Sequence, residues 1–138
     1  MKTHRRIFLF APAVFLTSAL NLPAATYSFK GNGTTTTPTT ANWTVATAWE
    51  GGAAPVSSLD NILSFFNSGT ASYTASNTFS NDFNLNRIVL NSSSTGSTTI
   101  NSGTLNFLND SSAVGPRITQ DGSSAVTINS FTKLANTV

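Results

Sequence analysis

The sequence predicts an all-β chain and, within that class, a short parallel β-solenoid. Three observations carry the prediction. Beyond residue 25, more than half of the residues are Thr, Ser, Asn or Gly, types that favour turns and half-polar strands over helices. The apolar residues there recur in pairs separated by one position, with polar turns between the pairs, which is the period of a strand. No window beyond the first 25 residues holds a helical period for more than a turn or two.

Residues 1–25 read as a secretory leader. Lys2, Arg5 and Arg6 form a basic start, Ile7–Leu20 an apolar stretch, and Asn21-Leu22-Pro23-Ala24-Ala25 a small-residue end, the layout a signal peptidase requires. The apolar stretch is shorter than the ~20 residues that cross a bilayer, so no stable membrane insertion is expected of the mature chain. Residues 26–41 open with the alternating Tyr27 and Phe29 and continue into Gly31-Asn32-Gly33-Thr34-Thr35-Thr36-Thr37-Pro38. With nothing apolar to bury, that stretch reads as a short strand followed by a flexible loop.

Residues 42–80 hold both tryptophans, Trp43 and Trp49, a turn at Gly51-Gly52 and Pro55, and the apolar run Ile62–Phe66, which reads as a buried strand. Ala71–Ala75 alternates after it. Residues 81–138 repeat strand and turn: Phe83/Leu85, Ile88/Leu90, Thr98/Ile100, Leu105/Phe107, Ile118/Gln120, Val126/Ile128, and lastly Phe131 and Leu134. One extra residue at Asn86-Arg87 breaks the alternation and predicts a bulge or a corner. Two inward residues per strand suit a narrow solenoid bore better than a sandwich layer, whose strands run to about 5–6 residues. A β-sandwich remains the alternative, because hairpins produce similar strings.

The composition also excludes function classes. The only His (His4) and the only Met (Met1) lie in the leader, and there is no Cys. The rest of the chain therefore cannot build a Ser-His-Asp triad, a cysteine nucleophile or a histidine metal site; no catalytic activity and no cofactor are expected. Lys30, Arg87, Arg117 and Lys133 stand against Glu50, Asp60, Asp82, Asp110 and Asp121. That slight acidic excess argues against nucleic acid as a partner.

The segment Asn42-Trp43, Trp49-x-Gly51-Gly52, Pro55, Leu59-Asp60-Asn61, Phe65-Phe66 resembles the start of secreted bacterial proteins built from autotransporter-associated β-strand repeats. So do Phe83-x-Leu85-Asn86-x-Ile88-x-Leu90 and Ile100-Asn101-Ser102-Gly103-x-Leu105-x-Phe107. The resemblance implies a right-handed parallel β-helix exported to the cell surface, with residues 42–80 as its N-terminal cap. Residues 81–138 would be its first coils, with more coils following in a longer protein. The role implied is structural or adhesive, with surface glycans or other copies, joined through the solenoid edges, as partners.

Candidate sites carry two readings each. Trp43 and Trp49 could form a carbohydrate-stacking platform, the alternative function being an extracellular carbohydrate-binding β-sandwich; or they cover the end of the core, where large apolar area is needed. The second reading is preferred, because a chain so poor in apolar residues cannot spare two indoles. Asp60, Asp82, Asp110 and Asp121 lack the spacing of a calcium loop and read as turn residues. Asp82 with Asp110 would be the best carboxylate pair for hydrolysis, and the turn reading is again preferred.

Overall fold

The computed structural model describes residues 24–93 and 95–134; the leader expected over residues 1–25 lies almost entirely outside them. The described chain is all-β, with no α-helix and two short 3-10 turns. It winds through a parallel solenoid of three faces. The first coil contributes β1 (Thr26–Phe29) and β2 (Ala41–Asn42), and the second β3 (Ile62–Asn67), β4 (Tyr73–Ser76) and β5 (Phe83–Leu85). The third coil contributes β6 (Arg87–Ser92), β7 (Thr98–Asn101) and β8 (Thr104–Phe107). The fourth contributes β9 (Arg117–Gln120), β10 (Val126–Ile128) and β11 (Phe131–Leu134).

The sheets run β1-β3-β6-β9, β2-β4-β7-β10 and β5-β8-β11. Every strand pairing among the described residues is parallel. A sandwich of hairpins is antiparallel, so that alternative is overturned. The expected corner at Asn86-Arg87 is the bend between β5 and β6.

Register follows from the side chains that must share one narrow interior. Leu63 stacks over Ile88 and Phe65 over Leu90 on the first face. Ala75 stacks over Ile100 on the second, and Phe83 over Leu105 with Leu85 over Phe107 on the third. All of these are buried and form one core with Phe29, Trp43 and Trp49. A slip of one residue in any strand would turn its whole inward set to solvent. The run Ile62–Phe66 is corrected in one respect: Leu63 and Phe65 enter the core, whereas Ile62 and Phe66 face outward and are only partly buried.

Asparagines hold the corners. Asn67 donates from Nδ2 to the Ala71 carbonyl at 3.0 Å and accepts the Gly69 N–H at 3.0 Å. Asn86 donates to the carbonyls of Leu108 (3.0 Å) and Val114 (2.9 Å). Both are buried, and each satisfies backbone groups that a corner takes out of the ladder. The polar residues that weaken a helix here close the turns.

The Thr/Gly-rich stretch after β1, expected to be flexible, is tied into the fold. Lys30 O accepts the N–H groups of Gly33 (3.0 Å) and Thr39 (3.2 Å). Thr34 Oγ1 accepts the Thr37 N–H at 3.0 Å, and Thr40 Oγ1 accepts the Thr74 N–H of the next coil at 3.0 Å. Gly31 (φ +56°) is required, since a Cβ there would meet the Thr39 carbonyl oxygen. Hydrogen bonding replaces the apolar burial this stretch lacks.

The two ends of the coil differ. At the first, residues 46–49 lie along the free edge of β1: Phe29 and Trp49 form an antiparallel bridge, and the Lys30 N–H donates to the Ala48 carbonyl at 2.9 Å. Covering an edge in this way blocks further strand pairing there. At the other end, the inward columns finish on Ile118 (46% exposed) and Leu134 (77%). The residues preceding them in those columns, Ile88 and Phe107, are buried. The cap is therefore narrower than the 42–80 expected from sequence: residues 62–85 already form a complete coil.

Candidate functional site

Trp43 follows β2 directly, and Trp49 lies between the two 3-10 turns, Ala46–Ala48 and Glu50–Gly52. The second turn reverses the chain through Gly51 (φ +81°), a conformation open to glycine at no steric cost. The Trp43 N–H donates to the Ser76 carbonyl at 2.8 Å, fixing the segment on the second coil. Trp49 Nε1 donates to the Trp43 carbonyl at 2.9 Å.

Both indoles are 0% exposed. Trp49 packs edge-on to Phe29 (centroids 5.2 Å apart) and Trp43 (5.8 Å). Trp43 stacks on Phe65 at 5.7 Å and meets Phe83 edge-on at 5.5 Å. Offset and edge contacts of this kind suit the ring quadrupole. Neither indole has a face left for a sugar, so the carbohydrate platform at Trp43 and Trp49 is overturned. They fill the core at this end of the coil, while Ser57 and Ser58 hydrogen-bond the free edge of β5 at Asn84.

Asp60 and Asp110 serve the same turn, residues 110–114, and Asp82 serves an ion pair. Asp110 Oδ1 accepts the N–H groups of Ser112 (3.0 Å) and Val114 (2.8 Å), and Asp60 Oδ1 accepts that of Ser111 (2.7 Å). Asp82 pairs with Lys133 Nζ at 2.6 Å across two coils. That hydrogen bond holds the Asp82 carboxyl below the usual carboxylate range, with a smaller contribution from Thr104.

Sequence reasoning missed a groove of about 550 Å³ on the outer side of the third sheet. Asn84 of β5 and Asn106 of β8 are in register there, and Asn106 Nδ2 donates to Asn84 Oδ1 at 2.8 Å. Lys133 continues the same column on β11. Phe79, half-buried and stacked on the core Phe83 at 5.1 Å, forms one wall. Gly103 (φ +65°) keeps the corner beside Asn77 low; a Cβ there would come within 2.6 Å of Asn77 Nδ2. The groove thus presents an aromatic ring beside amides and a carboxylate, Asp82, that Lys133 neutralises.

One further buried group lies in the second-face column. Burial pushes the Tyr73 phenol up to about 12. Thr98, its register partner on β7, lowers it by less than burial raises it; among the described residues neither the phenol nor Thr98 Oγ1 has a hydrogen-bond partner.

Comparison of the chain with protein-family models, with curated proteins and with solved structures found no match.

Proposed function

We propose that the chain is the capped beginning of an exported β-solenoid, a non-catalytic module with a structural or adhesive role at the cell surface. The observation that carries this is the asymmetry of the coil. One end is closed by the Trp43–Trp49 segment over β1, and the other leaves Ile118, Phe131 and Leu134 exposed on its last strands. An uncovered parallel edge presents a row of unpaired N–H and C=O groups, which template another strand. Covering the inward apolar residues would add on the order of 1 kcal/mol each. The β9–β11 edge is thus the one at which a further strand could pair among the described residues.

Composition supports the non-catalytic half of the reading, since the residues after position 25 hold no His, no Cys and one Glu. The basic-apolar-small order of residues 1–25 supports export.

Sedimentation velocity on the chain after leader removal tests the reading. The wild type should associate as concentration rises. A variant with Ile118→Asp and Leu134→Asp should keep its β-type circular dichroism and remain monomeric. A wild type that stays monomeric at all concentrations, with its strands intact, would overturn the proposal that this end is built for extension.

A further inference from the structure

We infer that the groove on the third sheet is a binding site for a neutral saccharide. Its size falls within the ~300–1,000 Å³ of small-molecule sites. Its chemistry is that of a ligand carrying hydroxyl groups and apolar ring faces. Asn106 and Asn84 fix one another through a single hydrogen bond, which leaves Asn84 Nδ2 as a donor and Asn106 Oδ1 as an acceptor. A hydroxyl both donates and accepts, so it satisfies the two together. Phe79 supplies the apolar wall on which a sugar ring stacks, as aromatic faces do for other C–H surfaces.

Charge decides against other ligand classes. Asp82, the carboxylate lining the groove, is neutralised by Lys133 at 2.6 Å, so no net charge is left to select an anion or a cation. The floor is also ordered before any ligand arrives. Asn84 and Asn106 stand on neighbouring strands of a parallel ladder, and Phe79 is anchored by its N–H donating to Asn77 Oδ1 at 3.2 Å. Fixing these side chains beforehand lowers the entropy cost of binding.

The site gives the adhesive role a location, and the residues that line it lie within 79–106, outside the β9–β11 edge, so either reading can fail without the other. Binding is read at those lining residues, whereas association depends on β9–β11.

Titration of the ¹⁵N-labelled chain with maltohexaose, cellohexaose and laminarihexaose, followed by NMR, tests the inference. At least one should produce saturable shifts of the Asn84 and Asn106 side-chain amides and of the Gly103 N–H. Asn106→Ala and Phe79→Ala should each weaken that binding about tenfold, close to 1.4 kcal/mol. Thr99→Ala, on the second face, should leave it unchanged. Asn106 points outward, so its variant keeps the fold even if Phe79→Ala does not. No saturable shift with any of the three, saturation only with an anionic chain such as heparin, or full binding by Asn106→Ala would overturn the inference.

Discussion

The same substitution at the two tryptophans should have different costs. Trp43 and Trp49 are both 0% exposed, so replacing either with Phe removes the same apolar area to a first approximation. Their N–H groups differ. Trp49 Nε1 donates to the Trp43 carbonyl at 2.9 Å, while Trp43 Nε1 is buried with no hydrogen-bond partner among the described residues. Trp49→Phe therefore leaves a buried acceptor unpaired, at a cost of about 1–3 kcal/mol beyond the lost area. Trp43→Phe removes a donor whose dehydration goes uncompensated in the folded state, and so recovers a similar amount. The variants should differ by about 2 kcal/mol or more, Trp49→Phe being the less stable. In a domain whose total stability is about 5–15 kcal/mol, that is a large share. Urea unfolding followed by circular dichroism measures it, with the slopes compared to confirm that both unfold alike. Equal stabilities, or a less stable Trp43→Phe, would refute the assignment of these two N–H groups.

The glycines make a contrasting pair. A Cβ at Gly122 would lie 1.8 Å from the Ser92 carbonyl oxygen of the coil before, whereas one at Gly51 meets nothing within 4 Å. Gly122→Ala should lower stability by about 1–3 kcal/mol or misplace the fourth coil; Gly51→Ala should cost about 1–2 kcal/mol, from its positive φ alone. Amide hydrogen exchange separates them: Gly51→Ala keeps the wild-type protection of β9, and Gly122→Ala loses it. Tyr73 sets an alkaline limit. Its phenol is raised from 10.0 to about 12, so the native state holds the proton more tightly than the unfolded chain does. The stability this contributes is fully present below pH 10 and is lost as pH rises from there towards about 12. Absorbance at the phenolate band should show Tyr73 titrating well above 10, and Tyr73→Phe should remove part of the alkaline loss of stability.

The strands of the second to fourth coils, β11 excepted, were legible because each alternates two inward residues with outward ones, as in Phe83/Leu85 and Val126/Ile128; in β11 the register turns Thr132 and Leu134 inward and Phe131 outward. The corner at Asn86 was legible for the same reason, since one residue out of phase must lie between two faces. The first coil was harder to read. β2 consists of Ala41 and Asn42 alone and exists because it pairs with Ala75 and Ser76, a partner no local pattern reveals. In β3, Ile62 and Phe66 have core chemistry but stand on the outer face; the alternation set by Leu63 and Phe65 overrides hydrophobicity. The role of Trp43 and Trp49 as core filling followed from the scarcity of apolar area. The saccharide groove did not, because Asn84 and Asn106 are 22 residues apart and only the length of that coil brings them together.

The central claim is the parallel stacking of coils, and paired nitroxide labels test it most directly. The sequence has no Cys, so two introduced thiols report unambiguously. Thr74 and Thr99 are register partners on the outer side of the second sheet, and Thr127 follows Thr99 on the next coil. Adjacent strands lie about 4.8 Å apart. Thr74→Cys with Thr99→Cys should give an electron paramagnetic resonance spectrum strongly broadened by dipolar coupling, and Thr74→Cys with Thr127→Cys a weaker broadening from twice the distance. If the first spectrum equals the sum of its two single-label spectra, β4 and β7 are not neighbours and the solenoid is wrong.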